Sequence, residues 1–543
     1  MSALTGTARL TRLALRRDRA QLPIWILSTT LLAAITLAAV SDQYPTEADR
    51  ISVLRTAVQT PALLMLRAAP TGASTGEMAM FSMLAFLAVL AGFMSTLAVV
   101  RHTRQNEETG RTEMIGATVV GRHASLAAAL IVTVVANAVL AVLVALVLVG
   151  AGEPVAGSVA VGLAVAAAGL AFASVAAVAA QFSGTSRGAN GISAAVIGAA
   201  YLVRGLGDAF GEILPNGYSM TSGWASWLSP IGWTMRVRPF AGERWWVLAL
   251  PLALAVALVG LALALTVRRD VGTGLLADRP GPARAAWQLL SPVGLAWRLQ
   301  RGTLIGWAVA ITVTGVGVGS IGSAVEDGLG ANTGAVRTIN NLGGGGAGAL
   351  IDAFFAAMMA IVGALVAGYL VQALLRLRAE ESGGRAEVVL ATATGRLRWL
   401  GGHLLVAVVG AAVLLGLAGV SMGLAYGLGV GDVGGELAEL TGAAYVQLPS
   451  ALILAGFVVA VFGLLPRLAV GLAWFGFTLC LLLGQFGALL NLPAAVRDLS
   501  PFSHVPAVPS VALTVTPLVV LSAVAAVLGA AGLVLFRRRD LTP

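Results

Sequence analysis

The sequence predicts an all-α membrane protein with about twelve transmembrane helices, organised as two parallel repeats of six helices. Three observations support this fold class. Hydrophobic residues make up 58% of the 543 residues, charged residues make up 11%, and the mean hydropathy is +0.89, which is too apolar for a soluble globular protein. Apolar runs recur at the length of about 20 residues that a membrane helix needs. One polar motif occurs twice at a constant offset.

The apolar runs place the individual spans. In the first half we expect spans near residues 22–41, 78–100, 124–150, 157–181, 192–209 and 247–267. In the second half we expect spans near residues 303–324, 350–375, 401–428, 446–465, 468–490 and 512–536. The basic stretch before the first span leads into it without a small-residue cleavage site, so we expect this span to be retained.

The distribution of arginine predicts the topology. All 34 basic residues are arginines, and most lie in segments that would be cytoplasmic if the N-terminus is inside. This bias predicts a multi-pass protein of the cell (plasma) membrane with both termini cytoplasmic. Six spans per half make both halves cross in the same direction, and parallel repeats of this kind commonly enclose the substrate route.

These spans divide the chain into two halves and a linker. Residues 1–270 are the first six-span half, residues 271–290 are a Gly- and Pro-rich cytoplasmic linker, and residues 291–543 are the second six-span half. Three outer stretches are too long for tight turns. Residues 42–77 are expected to hold a short amphipathic helix, residues 210–246 carry tryptophans typical of a membrane interface, and residues 325–349 read as a glycine-rich loop.

The repeated motif lies between spans 2 and 3 and again between spans 8 and 9. Its first copy reads Arg104-x-x-Glu107-x-x-Gly110-Arg111-x-Glu113, followed by Ala117-Thr118 and Gly121-Arg122. Its second copy reads Arg378-x-x-Glu381-x-x-Gly384-Arg385-x-Glu387, followed by Ala391-Thr392 and Gly395-Arg396. Apolar spans resemble one another by composition alone, whereas a spaced set of Glu, Gly and Arg does not. The identity in register therefore indicates duplicated halves and a docking surface that is used twice.

Each copy is expected to form a short amphipathic helix parallel to the membrane. In the first copy, Asn106 or Thr109 would cap the helix, and its glutamates lie near the N-terminal end, where the helix dipole favours negative charge. Arg122 lies at the other end, and Met114 and Val119 contribute to an apolar face. The alternative is a solvated interfacial helix whose charges keep the segment out of the lipid.

The repeated motif resembles that of the permease subunits of type-2 ABC exporters, in which the segment after the second span is the coupling helix beneath the membrane. The six-span halves, the cytoplasmic termini and the long outer segment between spans 5 and 6 also resemble that family. The residues that carry the resemblance are Glu107, Gly110, Arg111, Glu113, Arg122, Glu381, Gly384, Arg385, Glu387 and Arg396. Most members have one six-span half per chain and dimerise. This chain fuses two halves and looks most like the fused actinobacterial permeases described as exporters of polyketide antibiotics.

The resemblance implies a type-2 ABC exporter permease fold and a separate ABC ATPase partner. That partner would be a homodimer, with one subunit beneath each copy of the motif, and it would bind ATP and Mg. The absence of lysine agrees with this, because a P-loop of the G-x-x-x-x-G-K-[ST] type needs a Lys to reach the phosphates. We therefore expect this chain to have no enzymatic activity and no cofactor of its own.

The remaining polar residues exclude other classes of site. Cys480 is the single cysteine, and the four histidines show no metal-ligand spacing. The net charge of +9 is explained by topology, so no nucleic-acid partner is expected.

Arg204 and Asp208 lie one helical turn apart and predict a local ion pair. Asn137, Gln372 and Gln485 are expected to hydrogen-bond between helices.

Glu77 and Asp352 begin spans 2 and 8 at nearly equivalent positions in the two halves. They are candidates for a pathway or gate role, since ionisable residues in a membrane are costly and default to functional hypotheses. The alternative is that both carboxylates mark the outer interface.

The resemblance implies the transmembrane subunit of an ATP-driven exporter that moves small molecules, such as antibiotics or drugs, across the lipid bilayer and out of the cell. The scarcity of charge within the spans favours hydrophobic or amphipathic cargo. The first alternative is a lipid or cell-envelope precursor exporter of the same class. The second is a twelve-span secondary transporter, which would need intramembrane acids that we do not find near the midplane. A membrane-embedded enzyme is weakened by the lack of clustered His, Asp or Glu.

Overall fold

The computed structural model describes residues 2–276, 283–331, 346–486 and 493–540. The chain divides into two units, Met1–Gly281 and Pro282–Pro543, each with its own hydrophobic core. The boundary lies within the segment 271–290 predicted as a linker, of which residues 277–282 fall outside the described residues. The glycine run within the predicted loop 325–349 also lies largely outside them.

The first unit is built almost entirely from helices. In chain order these are α1 (Thr7–Arg17), α2 (Gln21–Gln43), α3 (Glu47–Val58), α4 (Pro61–Leu66), α5 (Thr75–His102), α6 (Arg104–Glu108), α7 (Arg111–Gly116), α8 (Ala124–Gly150), α9 (Val155–Phe182), α10 (Ser186–Ala209), α11 (Pro230–Arg236) and α12 (Ala249–Thr266). Short 3₁₀ helices cover Trp224–Leu228 and Trp245–Leu248. Strands β1 (Glu212–Ile213) and β2 (Met220–Thr221) pair antiparallel, with Glu212 opposite Thr221.

The second unit repeats this plan in its described residues. Its helices are α13 (Pro292–Ala331), α14 (Gly346–Leu374), α15 (Arg376–Ser382), α16 (Arg385–Leu390), α17 (Arg396–Val430), α18 (Val433–Val446), α19 (Leu448–Leu464), α20 (Ala469–Phe486), α21 (Ala494–Arg497) and α22 (Val515–Arg538). Further 3₁₀ helices cover Trp287–Leu290 and Pro501–His504.

The all-α multi-span prediction is confirmed. Among the described residues, 11 helices are long and apolar enough to cross a membrane, and Ala469–Gly484 is a shorter apolar helix where the span near 468–490 was predicted. The span predicted at 446–465 starts earlier, at Val433, because the acidic residues of α18 masked its helical character in the sequence. A break at Gln447 separates α18 from α19, and Pro449 accounts for it because proline lacks the amide that a continuous helix requires.

Small residues and a few polar pairs hold the spans together. Helices α19 and α22 approach closely: a Cβ added to Gly463 would lie 2.6 Å from the carbonyl oxygen of Gly532. The predicted interhelical hydrogen bonds are confirmed for two residues. The Asn137 amide donates to Ser95 Oγ at 2.8 Å, and Gln372 Oε1 accepts from the Trp307 indole at 2.7 Å. The Gln485 side chain lies outside the described residues.

Because successive spans alternate in direction, each unit has two ends. We call the end that carries α6 and α7, or α15 and α16, the loop end, and the other the opposite end. At the opposite end of the first unit, the stretch 42–77 holds two helices, α3 and α4, where one amphipathic helix was predicted. The threonine cap of α3 and Pro61 at the start of α4 explain the separate starts.

The ion pair predicted within span 5 is confirmed and anchors α4 to α10. Arg204 Nη1 lies 3.0 Å from Asp208 Oδ2, and both side chains are fully buried. The same guanidinium donates to the carbonyl oxygens of Leu64, Met65 and Arg67 at the C-terminal end of α4. This pair therefore satisfies helix-end carbonyls that would otherwise be buried without partners.

Candidate functional site: the two repeated loops

The first copy of the motif forms two short helices rather than the single helix that was predicted. Helix α6 ends at Glu108, and α7 begins at Arg111. Gly110 lies between them with a φ of 70°, in the left-handed region that glycine adopts without steric cost. Asn106 and Thr109 do not cap a helix here. Thr109 Oγ1 donates to the carbonyl of Gln105, and Asn106 Oδ1 accepts from Arg17 at 2.8 Å.

The second copy repeats this break with nearly the same backbone. Helix α15 ends at Ser382, α16 begins at Arg385, and Gly384 between them has a φ of 69°. No atom lies within 4 Å of a Cβ added at either Gly110 or Gly384. Glycine is therefore required at both positions by backbone conformation and not by crowding.

Glu107 is held inside the first unit by the arginine that follows the last span. Arg269 Nη2 donates to Glu107 Oε1 at 2.6 Å, and Arg269 Nη1 donates to Oε2 at 2.8 Å. Arg104, which is fully buried, adds a third contact at 2.8 Å. Arg104 Nε also donates to the carbonyl of Ala180 in α9 at 3.0 Å. Glu107 therefore joins the loop to the loop end of α12, and Arg104 joins it to the loop end of α9.

Glu381 makes the equivalent bidentate pair in the second unit. Arg539 Nη1 and Nη2 donate to its two carboxylate oxygens at 2.6 and 2.7 Å, and the Glu381 side chain is 2% exposed. Arg378, the counterpart of Arg104, lies farther from the carboxylate, at 3.9 Å. Sequence reasoning did not assign Arg269 and Arg539 to the site. The signal was present, because Arg-Arg-Asp follows the last span in both halves, at 268–270 and 538–540.

The two loops differ in their other ion pairs. In the first unit, Glu108 accepts hydrogen bonds from the Ser186 amide and hydroxyl at the start of α10. In the second unit, Glu380 lies between Arg376 and Arg385, each with its Nε 2.7 Å from a carboxylate oxygen. The hydrogen bond to Glu380 raises the pKa of the Arg385 guanidinium. The two loops thus share one backbone and one buried pair, and different contacts surround them.

Past the glycine, both loops expose the same kind of surface. Glu113 and Glu387 are exposed at equivalent positions. The next residues, Met114 and Val388, are 69% and 72% exposed. Each loop thus exposes a large apolar side chain next to a carboxylate at the equivalent position. We call Arg111–Gly116 and Arg385–Leu390 with these side chains the paired loop faces.

The two arginines that follow the loop faces differ in their contacts. Arg396 starts α17 and donates from Nη1 to the carbonyl oxygen of Arg539 at 2.6 Å, so it lies against the loop end of α22. Arg122 is exposed in the turn before α8.

The residues before α1 hydrogen-bond to the turn that follows the first loop face. The Gly121 amide donates to the carbonyl of Thr5 at 2.9 Å, and the His123 amide donates to that of Ala3 at 3.1 Å. A cavity of about 1080 Å³ lies between α1 and α7 and is lined in part by Leu13, Met114 and Val119. The first loop face therefore borders an apolar depression.

Asp18, just after α1, joins this helix to the end of α5. Its carboxylate lies 2.9 Å from Arg101 Nη1 and accepts from His102 Nε2 at 2.5 Å. Burial alone would raise the pKa of Asp18. The hydrogen bonds and charges of His102 and Arg101 outweigh burial, so the pKa lies below its ordinary value.

The candidate gate residues lie in different units. Glu77 forms a capping box with Ser74: its carboxylate accepts from the Ser74 amide at 2.9 Å, and Ser74 Oγ accepts from the Glu77 amide. Asp352 is half-buried near the start of α14. Their gate role stays a prediction. Near Glu77, burial raises the pKa of Glu153, and the Glu77 charge raises it further against the opposing effect of Arg50.

The multi-span bundle and its two repeated loops define an ABC-type permease. The comparisons with known proteins identify the family. The family described as "Multidrug efflux system permease Rv1217c, C-terminal domain" matches residues 9–266 and 289–537, and this chain belongs to it. The chain is 42% identical over 540 residues to the multidrug efflux system permease protein Rv1217c of Mycobacterium tuberculosis strain H37Rv, which covers 99% of this chain and 96% of that relative.

Proposed function

We propose that this chain is the transmembrane subunit of an ATP-driven exporter of hydrophobic or amphipathic small molecules. ATP hydrolysis takes place in a separate ABC ATPase homodimer, with one subunit beneath each of the paired loop faces. Both loop ends are cytoplasmic in this arrangement. The relative from Mycobacterium tuberculosis, a multidrug efflux permease by name, supports drug-like molecules as cargo.

The observation that carries this proposal is the duplication of the loop faces. Each face combines an exposed apolar side chain with an exposed glutamate, Met114 with Glu113 and Val388 with Glu387. Each follows a left-handed glycine that turns the chain away from the end of span 2 or span 8. A solvated interfacial helix would not need the same spaced set of Glu, Gly and Arg in both copies.

The bidentate Glu–Arg pairs link the paired loop faces mechanically to the ends of the spans. Glu107 joins the first loop to Arg269 beyond α12, and Glu381 joins the second loop to Arg539 beyond α22. An ATPase that displaces α7 would therefore displace the ends of spans 2 and 6 together. We infer that the same coupling acts on spans 8 and 12.

The experiment is reconstitution of the chain in proteoliposomes with the ABC ATPase that co-purifies with it. We expect ATP to drive loading of a hydrophobic fluorescent dye into inside-out vesicles, and we expect the chain alone to move no dye. The double variant Glu113→Lys/Glu387→Lys is expected to lower dye-stimulated ATP hydrolysis at least about tenfold. Glu212→Lys, an equally exposed acid at the opposite end, is the matched control.

Two results would favour the alternatives. Dye transport by the chain alone, driven by a proton or sodium gradient, would establish a secondary transporter. ATP-driven movement of a fluorescent lipid analogue, without movement of the dye, would establish a lipid or envelope-precursor exporter.

A further inference from the structure

The opposite ends of the two units share one local architecture beside the last span. Ser229 Oγ donates to the carbonyl of Ala200 in α10 at 2.6 Å, and Ser500 Oγ donates to that of Cys480 in α20 at 2.7 Å. Both serines belong to the repeated Leu-Ser-Pro sequence at 228–230 and 499–501. The two segments therefore hold the same position relative to span 5 and span 11.

A second hydrogen bond fixes the register residue by residue. In the first unit, the Trp233 indole donates to the carbonyl of Trp227 at 2.6 Å. In the second unit, His504 Nε2 donates to the carbonyl of Asp498 at 2.8 Å. Counting from the shared Leu-Ser-Pro, Asp498 stands at the position of Trp227 and His504 at that of Trp233. Counting back from the shared Arg-Arg-Asp, Thr516 stands at the position of Trp246.

In the first unit these positions are filled by aromatic rings. Trp227 and Trp246 stack with their ring centroids 6.0 Å apart and an interplanar angle of 20°. The guanidinium of Arg236 lies 4.4 Å from the centroid of Trp227, so the unit supplies its own cation over the indole.

In the second unit the same positions line a groove. It has a volume of about 510 Å³, within the range of small-molecule sites, and lies beside α19 and α22. Asp498, His504 and Thr516 line it together with apolar side chains that include Val520 and Leu521. Ala507 stands where the first unit has Arg236, so both the stacked indoles and the internal cation are missing from these positions.

We propose that this groove binds an amphipathic small molecule that carries a positive charge. The hydrophobic part of the ligand contacts the apolar wall of the groove, where the first unit has its indoles. The positively charged group of the ligand lies against the Asp498 carboxylate. Asp498 is exposed, and among the described residues it forms no ion pair, even with the adjacent Arg497. Charge complementarity thus favours a cationic amphiphile over a phosphate-bearing lipid. The proposal deepens the proposed export function and rests on it for the class of cargo.

The test is equilibrium binding of tetraphenylphosphonium and of the isosteric anion tetraphenylborate to the full chain in nanodiscs, without ATPase or ATP. We expect saturable binding of the cation in excess of empty nanodiscs, and weaker binding of the anion. Asp498→Asn is expected to weaken cation binding about tenfold and to abolish the preference. Thr516→Trp, which restores an indole, is expected to weaken binding of both ions. Glu439→Gln, an exposed acid outside the groove, is the matched control.

Unchanged cation binding in both groove variants would overturn the proposal. A second combination of results would also overturn it. In that case native mass spectrometry shows that Thr516→Trp displaces a bound phospholipid, and Asp498→Asn leaves cation binding intact. Val520→Phe narrows the groove from an exposed helix position and serves as a second variant if Thr516→Trp unfolds. Because binding is measured without ATP, failure of ATP coupling with intact binding would count against the proposed function alone.

Discussion

At the scale of single residues, the repeated motif contains two kinds of residue: some hold the loop in place, and others are exposed on its surface. Gly110 and Glu107 shape and anchor the first loop, and Gly384 and Glu381 do so in the second. Glu113 and Met114, with Glu387 and Val388, remain at the surface. The sequence could not distinguish these two kinds, because an ion pair with a residue more than 150 positions away is invisible to local spacing.

The first prediction concerns the bidentate pair in the first unit. Glu107→Gln leaves Arg269 partly buried without its counter-charge, and we expect it to lower the free energy of unfolding by about 3 kcal/mol. The double variant Glu107→Gln/Arg269→Gln is expected to recover part of that loss. Unfolding of the four proteins of this double-mutant cycle in detergent measures the coupling. Additive effects of the two substitutions would contradict the pairing.

The second prediction concerns the glycine breaks. Gly110→Ala and Gly384→Ala each place a Cβ in the left-handed region, with an expected cost of about 1–2 kcal/mol. Gly116→Ala is the control, since its surroundings are equally open and it lies in a helix, where alanine is favoured. Thermal unfolding of the three variants checks this order. Equal stability of Gly110→Ala and Gly116→Ala would contradict the left-handed assignment.

The third prediction is a pH dependence at Glu153. Its folded-state pKa is raised, so the folded protein is favoured below the unfolded value of about 4.3 and loses that advantage as the pH rises through the folded pKa. Glu153→Gln removes this loss. We expect the variant to melt at a higher temperature than the parent at pH 7, with the difference vanishing near pH 4. Melting curves between pH 4 and 8 test this, and a difference that is constant over that range would refute it.

At the scale of elements, hydropathy predicted the positions of the spans. It did not predict helix boundaries that depend on charged residues or on backbone geometry. The span at 124–150 was predicted with its observed bounds, because no charge interrupts its apolar run. Helix α18 was missed because Glu436 and Glu439 lower the hydropathy of its first turns. The break at Gly110 was missed because glycine adopts helical and left-handed backbones with equal ease. In the candidate site, the repeated glutamates stood out in the sequence, but local spacing did not show that Glu107 and Glu381 are buried against Arg269 and Arg539.

The fourth prediction concerns the attachment of α4 to α10. Arg204→Met removes donors to three carbonyl oxygens and leaves Asp208 buried without its counter-charge, with an expected cost of about 3–5 kcal/mol. Hydrogen exchange of the amides of residues 62–66 in α4 is expected to accelerate more than exchange in α9. Arg55→Met, an exposed arginine on α3, is the control. Equal protection of α4 in both variants would contradict the anchoring role.

At the scale of the whole molecule, the two units share a plan and differ in detail. Both carry a glycine break and a bidentate Glu–Arg pair at the loop end. Glu108 contacts α10 in the first unit, whereas its counterpart Ser382 hydrogen-bonds within its own helix. The opposite ends differ too, with stacked tryptophans in one unit and a groove in the other. We therefore expect the two ATPase sites and the two halves to contribute unequally.

The most direct test of the central claim is the affinity of the separate ATPase for the full chain in nanodiscs. The double variant Met114→Asp/Val388→Asp changes only exposed side chains of the paired loop faces. We expect it to weaken ATPase binding at least about tenfold without lowering the melting temperature. Leu428→Asp, 72% exposed at the opposite end, is expected to bind the ATPase like the parent chain. Unchanged affinity of the double variant would contradict the assignment of the paired loop faces as the docking surface.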